Sequence, residues 1–210
     1  MLGDNTAIKP QYLLTAKALR PHLNIGSERV SVAIGGESGC GKTVTALALA
    51  QVLAEEGINA VILHQDDYFN RTPRTNHNHR LQDMSSIGSQ EVNLALLQAH
   101  INQFLAGADA LQKPLIDYEK DAILTENIDL QHAQIILIEG TYSMHLSNID
   151  TKIFIKRNYH DTYTARIARA RDIASDFVEQ VLEIEHQLIA PLFAHADILI
   201  ERDYSVHKNG

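Results

Sequence analysis

The residues Gly36-Glu37-Ser38-Gly39-Cys40-Gly41-Lys42-Thr43 constrain this chain more than any other stretch, because they satisfy G-x-x-x-x-G-K-[ST]. They follow a β-branched run at 29–35 and open a helical stretch at 43–56 with Val44, Leu47, Ala48 and Val52 on one face and Gly57 as its C′ residue. Strand, glycine turn and helix in that order gather backbone N–H groups at the positive end of a helix, where Lys42 adds a full charge. The spacing predicts a phosphate cradle built from the amides of residues 37–43, bounded by Gly36 and Thr45, with the Thr43 hydroxyl as a Mg2+ ligand. A bare glycine turn is the plain alternative, and it gives no reason for Lys-Thr after the last glycine. Cys40 reads as a small filler of the loop, since nothing near it suggests a partner base.

Four more unbroken apolar runs, at 59–64, 134–139, 152–156 and 196–200, suit parallel strands buried on both faces. Helical stretches at 89–106, 160–173 and 176–190 lie between them, which argues for a three-layer α/β fold around a parallel sheet. A leading amphipathic helix over 6–20 carries Tyr12, Leu13, Ala16 and Leu19 on one side and Pro10 in its first turn. It is open to covering the sheet or to meeting a second subunit in a homo-oligomer. The stretch 70–88 is polar, holds Pro73 and Gly88, shows no apolar period, and reads as a long functional loop. Residues 114–130 read as a small hairpin or an irregular excursion. The plan is one domain over 1–210 with a substrate-facing insertion at about 70–130.

Composition narrows the function. A chain of 210 residues with 45% hydrophobic residues can bury one substantial core. Its net charge of 18 − 26 = −8 argues against sequence-independent nucleic-acid binding and against a polybasic membrane anchor. No apolar run reaches the roughly 18–20 residues that span a bilayer. The first residues lack the apolar core of a signal peptide, and the single cysteine suits a reducing cytoplasm. The eleven histidines show no metal-ligand spacing; His77, His79 and Arg80 are instead candidates for contacting an acceptor.

Two acids end apolar runs, where ligands bind in open α/β sheets. Asp66 can take the proton of an attacking hydroxyl in phosphoryl transfer, with Asp67 supporting or capping; the plain alternative is a turn-forming Asp pair. Glu139 can hold a Mg2+-bound water; the plain alternative is a strand-end charge.

Taken together, the phosphate loop, Asp66-Asp-Tyr-Phe69 and Ile138-Glu139-Gly140 resemble the uridine kinase and phosphoribulokinase superfamily of P-loop kinases. The similarity continues through 114–118, 150–155, Arg171-Asp172 and 196–200. The resemblance implies a P-loop NTPase fold with a five-stranded parallel sheet, Mg-ATP as donor, Asp66 as the base that activates the acceptor hydroxyl, and a lid of helix-borne arginines at about 157–176. Arg171 matches the family register; with Arg166 it flanks an apolar stripe of Tyr163, Ile167, Ala170 and Ala174, while Arg169 lies farther round. Two departures bear on the acceptor. Ile116-Asp117-Tyr118-Glu-Lys-Asp121 replaces the Tyr-Asp-Phe-x-x-His of uridine kinases, and the usual Asn-Phe-Asp-His-Pro is absent.

The expected activity is therefore ATP-dependent phosphorylation of a hydroxyl on a small, sugar-containing metabolite. A uridine- or cytidine-type nucleoside leads, with pantothenate, a sugar phosphate, nicotinamide riboside or another sugar behind it. A switch-type P-loop NTPase is the competing class; the N-K-x-D and D-x-x-G motifs of a GTPase do not occur.

Overall fold

The computed structural model describes residues 7–26, 28–163 and 176–210. In chain order the main elements are α1 (Pro10–Leu19), β1 (Val30–Gly36), α2 (Lys42–Glu55), β2 (Ala60–His64), α3 (Pro73–Gln82) and α4 (Leu94–Leu105). A hairpin of β3 (Ala110–Asp117) and β4 (Ala122–Asp129) follows. Then come β5 (Ile135–Glu139), β6 (Thr151–Ile155), α5 (Asp176–Ile189), β7 (Ile198–Ile200) and β8 (Val206–Lys208). Among the described residues no helix is long and apolar enough to cross a membrane.

The central sheet runs β2-β5-β1-β6-β7-β8. The five expected strands are all present and parallel, and β8 adds a short antiparallel edge beside β7 that the sequence did not announce. Alternate residues of one strand enter opposite cores, as the pleat requires. Ile135 and Leu137 join the core under α1 and α2, while Ile136 and Ile138 join the one that contains Leu97, Ile101 and Phe104 of α4. Both faces are covered, so β5 carries an unbroken apolar run.

Several boundaries differ from expectation. The leading helix starts at Pro10 rather than residue 6, and residues 7–9 precede it without helical structure. Its Ala16 and Leu19 are buried in the same core as α2, so it covers the sheet. The stretch expected to be helical over 89–106 is broken: a 3-10 turn (Ser89–Glu91) precedes α4, whose first turn is capped by Asn93 Oδ1 accepting from Leu96 N–H at 3.0 Å.

The largest correction concerns 70–88, which is not a loop but contains the ten-residue helix α3. Only Asn76 of α3 is buried, so there is no apolar stripe to read. Pro73 fits its first turn, and Asn76 and Arg80, four apart and on one face, both reach Glu91. Polar contacts do what apolar periodicity does elsewhere. Of the helix expected at 160–173, residues 160–162 form a turn and Tyr163 is helical, while 164–173, with Arg166, Arg169 and Arg171, lie outside the described residues.

Candidate active site

The phosphate loop closes the carboxyl end of β1. Gly36, Gly39 and Gly41 hold φ of 143°, 75° and 105°, backbone that an L side chain adopts only under strain. At Gly41 space is short as well, because an added Cβ would meet the Tyr12 hydroxyl of α1 at 2.9 Å. Lys42 is buried and its Nζ donates to the Glu37 carbonyl at 2.8 Å, curling over the loop. Thr45 N–H donates to the Gly41 carbonyl at 2.9 Å, and its side chain is buried. Cys40 is buried inside the loop, and burial pushes its thiol pKa up, which fits a filler and not a nucleophile.

Glu139 ends β5 beside this loop. Its Oε1 accepts from the Thr43 hydroxyl at 3.2 Å and from His64 Nδ1–H at 2.8 Å. Burial by itself raises the pKa of Glu139, but His64, Lys42 and Thr43 together bring it below the ordinary value and keep a carboxylate. An ionised carboxylate beside a hydroxyl that donates to it is a hard oxygen donor set, which suits Mg2+. His64 was not singled out from the sequence. The available signal was register: His64 and Glu139 are paired at the ends of adjacent parallel strands.

Asp66 lies two residues beyond His64 in a 3-10 turn (Gln65–Tyr68). The neighbouring turn is locked against it. An added Cβ on Gly140 would meet Gln65 Cβ at 2.3 Å, so only glycine permits this approach, and the Tyr142 N–H donates to Gln65 Oε1 at 2.7 Å. Asp66 is half-buried, and its pKa is raised to about 6, by burial first and then by the charge of Glu139, against the opposing pull of Lys42 and His64. The carboxyl thus sits in the field of both the loop lysine and the candidate metal-side acid. Asp67 faces the other way and is fully buried, accepting from Lys113 Nζ at 2.6 Å and from Ile116 N–H at 3.0 Å, which docks the hairpin.

The far wall of the cleft is polar. Arg80 donates to both oxygens of Glu91 at 2.7 and 2.8 Å, and to Glu185 of α5 at 3.1 Å. Asn76 Nδ2 donates to Glu91 Oε1 at 2.9 Å. The loop is tied to the same helix, because Glu37 accepts from His186 Nδ1 at 2.7 Å and from Tyr159 N–H at 2.9 Å. Of these residues the sequence pointed to Glu37, as part of the cradle, and to Arg80; His77, proposed with Arg80, packs its ring edge-on against Phe177 at 5.1 Å. Glu91, Glu185 and His186 were not singled out from the sequence; they lie within stretches expected only to be helical.

Fold and site define a nucleotide-dependent phosphotransferase of the P-loop kind. The model of the Phosphoribulokinase / Uridine kinase family matches residues 31–207, and the chain belongs to that family. It is 28% identical over 194 residues to the bifunctional alpha-galactosidase/sucrose kinase AgaSK of Mediterraneibacter gnavus, matching 86% of this chain but spanning only 21% of that protein. It is 24% identical over 196 residues to a uridine kinase of Leuconostoc citreum (strain KM20), covering 84% of this chain and 89% of that one. Among solved structures, the phosphoribulokinase from Rhodobacter spheroides superposes with a TM-score of 0.62 at 14% identity, over 84% of this chain and 71% of that one. D-glycerate 3-kinase from Cryptococcus neoformans superposes with a TM-score of 0.56 at 10% identity, over 95% and 97%. The chain is a small-molecule kinase of this family with a nucleotide-binding P-loop.

Proposed function

We propose that the protein transfers the γ-phosphoryl group of Mg-ATP to a hydroxyl of a small metabolite, acting in the cytoplasm and on neither nucleic acid nor membrane. This reading is supported by the pairing of β2 with β5, which brings the turn that carries Asp66 beside Glu139, with the charge of Lys42 acting on it as well. The amides of residues 37–43 and Lys42 hold the phosphates; Thr43, and Glu139 through a water, hold the metal. Bound Mg-ATP supplies the phosphoryl group and ADP as leaving group. Asp66 orients the acceptor hydroxyl and takes its proton as the new O–P bond forms and the bond to the bridging oxygen of ADP breaks. Closure by Arg166 and Arg171 belongs to the same reading, on residues outside those described. The net charge of −8 and the single free cysteine support the partner and location assignments.

For the acceptor, a uridine- or cytidine-type nucleoside is supported by several relatives named uridine kinase. A sugar is a second reading, favoured by the relative named for sucrose and by Ile116-Asp117-Tyr118 in place of the nucleoside-kinase residues. The test is ADP release at fixed Mg-ATP with and without nucleosides, sugars and vitamin precursors. A kinase accelerates at least tenfold with one of them. A rate that no small molecule changes contradicts the reading and favours a switch.

A further inference from the structure

Position 37 is open in the G-x-x-x-x-G-K-[ST] pattern, and here it carries an acid. A carboxylate inside a cradle for phosphates repels what the cradle must hold. Glu37 is nevertheless buried at 5% exposure, and both of its oxygens are occupied by donors from outside the loop. Oε1 accepts from His186 Nδ1–H at 2.7 Å, and Oε2 accepts from the Tyr159 N–H at 2.9 Å. The two donors are themselves joined. The Tyr159 hydroxyl donates to Glu183 Oε2 at 2.7 Å, and Glu183 lies three residues before His186 on the same face of α5. The rings of Tyr159 and His186 also meet, with centroids 5.8 Å apart. Glu37, Tyr159, Glu183 and His186 close a ring of contacts, and the acid cannot leave it without giving up hydrogen bonds to a charged group.

The main chain of the same residue serves the cradle. The Glu37 carbonyl accepts from Lys42 Nζ at 2.8 Å and from the Cys40 N–H at 3.2 Å. Holding the carboxylate by both oxygens leaves the short stem of Glu37 little freedom, and this fixes the carbonyl on which the lysine rests. The restraint matters because the backbone around it is permissive. Gly36 and Gly39, with φ of 143° and 75°, have no side chain that could anchor the turn. The anchor is supplied from α5, along a path from His186 Nδ1–H through the Glu37 carboxylate and carbonyl to the Lys42 ammonium. An incoming triphosphate then meets a lysine presented at one place, and an acid whose oxygens are already turned to donors on the α5 side.

We infer that His186 is a positioning residue for the nucleotide: through Glu37 it sets the phosphate loop and Lys42, and it keeps the acid's charge from the phosphates. The inference rests on the reading of the loop as an ATP cradle and is independent of Asp66 and of the acceptor. The experiment measures binding of Mg-ADP and of a non-hydrolysable Mg-ATP analogue by calorimetry. The proteins are wild type, His186→Leu, His186→Asn, Glu37→Ala and the double variant of Glu37→Ala with His186→Leu. Wild type should bind both nucleotides, and His186→Leu should weaken the ATP analogue about tenfold or more. His186→Asn, whose Nδ2 can stand where Nδ1 stands, should remain within about threefold of wild type. In the Glu37→Ala background His186→Leu should cost less than about twofold, because the group it acts through is gone. Urea unfolding of the same variants separates positioning from a mere tie between α5 and the loop: lower stability with unchanged affinity overturns the inference. An equal loss of affinity with and without Glu37 overturns it too, as does failure of His186→Asn to restore binding. If wild type binds and His186→Leu binds as tightly, the inference alone falls; if wild type binds neither nucleotide, the ATP reading falls with it.

Discussion

The phosphate loop takes its shape from positive-φ glycines and apolar packing, with Glu37 tying it to α5, whereas the wall built from α3, Glu91 and α5 is held by charge throughout. Gly41 takes its left-handed turn under Tyr12, and the strands behind it are apolar throughout. Across the cleft, Arg80 joins α3 to Glu91 and to α5, and Lys113 joins the hairpin to Asp67. The first side depends on backbone conformation that few substitutions preserve, whereas the second can be altered by exchanging single charged residues.

If this contrast is correct, removing one charge on the acceptor side must unfold more than removing one from the phosphate side. The largest effect is expected for Asp67→Ala, which leaves the buried Lys113 ammonium only the exposed Glu126 carboxylate and the Pro114 carbonyl, and leaves the buried Ile116 N–H without its acceptor. Breaking a buried pair this way costs about 3–5 kcal/mol, measured as a fall in unfolding free energy in urea. A loss below 1 kcal/mol would show that the hairpin docks without the pair.

A smaller loss, about 1.5–3 kcal/mol in all, is expected for Glu91→Gln, whose amide oxygen still accepts while the other contact to Arg80 is lost. This variant also carries a pH signature. Burial raises the pKa of Glu91, but Arg80, the Gly88 N–H and Asn76 more than offset it, leaving the folded value below the ordinary 4.5. A depressed carboxylate stabilises fully above its unfolded pKa and loses that contribution as pH falls through the folded one. Acidification below about 4.5 should therefore destabilise wild type more steeply than Glu91→Gln. Parallel pH curves would contradict the assignment.

These two regions also differ in how much of them could be read before any coordinates. The five parallel strands, α2 and the loop follow from unbroken apolar runs and one motif whose residues are contiguous, so local pattern sufficed. Helix α3 did not announce itself, because its stability comes from Asn76 and Arg80 reaching a residue more than ten positions away. Glu185 reaches Arg80 across 105 positions of sequence, a separation at which a single chain offers no signal. His64 sits between these cases, since its partner Glu139 is fixed by strand register, which follows once β2 and β5 are known to be neighbours.

The smallest effect on stability belongs to the phosphate side. His64→Leu keeps an apolar filling at the strand end and leaves Glu139 its contact with Thr43, so unfolding free energy should fall by about 1.5 kcal/mol, the low end for a hydrogen bond to a charged group. Loss of the group that orients Glu139 should nevertheless lower Mg2+ affinity or turnover by about 10- to 100-fold, read from the Mg2+ dependence of ADP release. An unchanged Mg2+ dependence would separate Glu139 from the metal.

The central claim is that Asp66 and the phosphate cradle act on one bound hydroxyl, and Asp66→Asn tests it most directly. With the acceptor that wild type prefers, turnover should fall by about 10²-fold or more while the affinity for Mg-ATP, measured by calorimetry, changes less than threefold. The wild-type rate should also fall as pH drops through about 6, where Asp66 takes up its proton. Unchanged turnover in Asp66→Asn would remove Asp66 from the reaction and contradict the account.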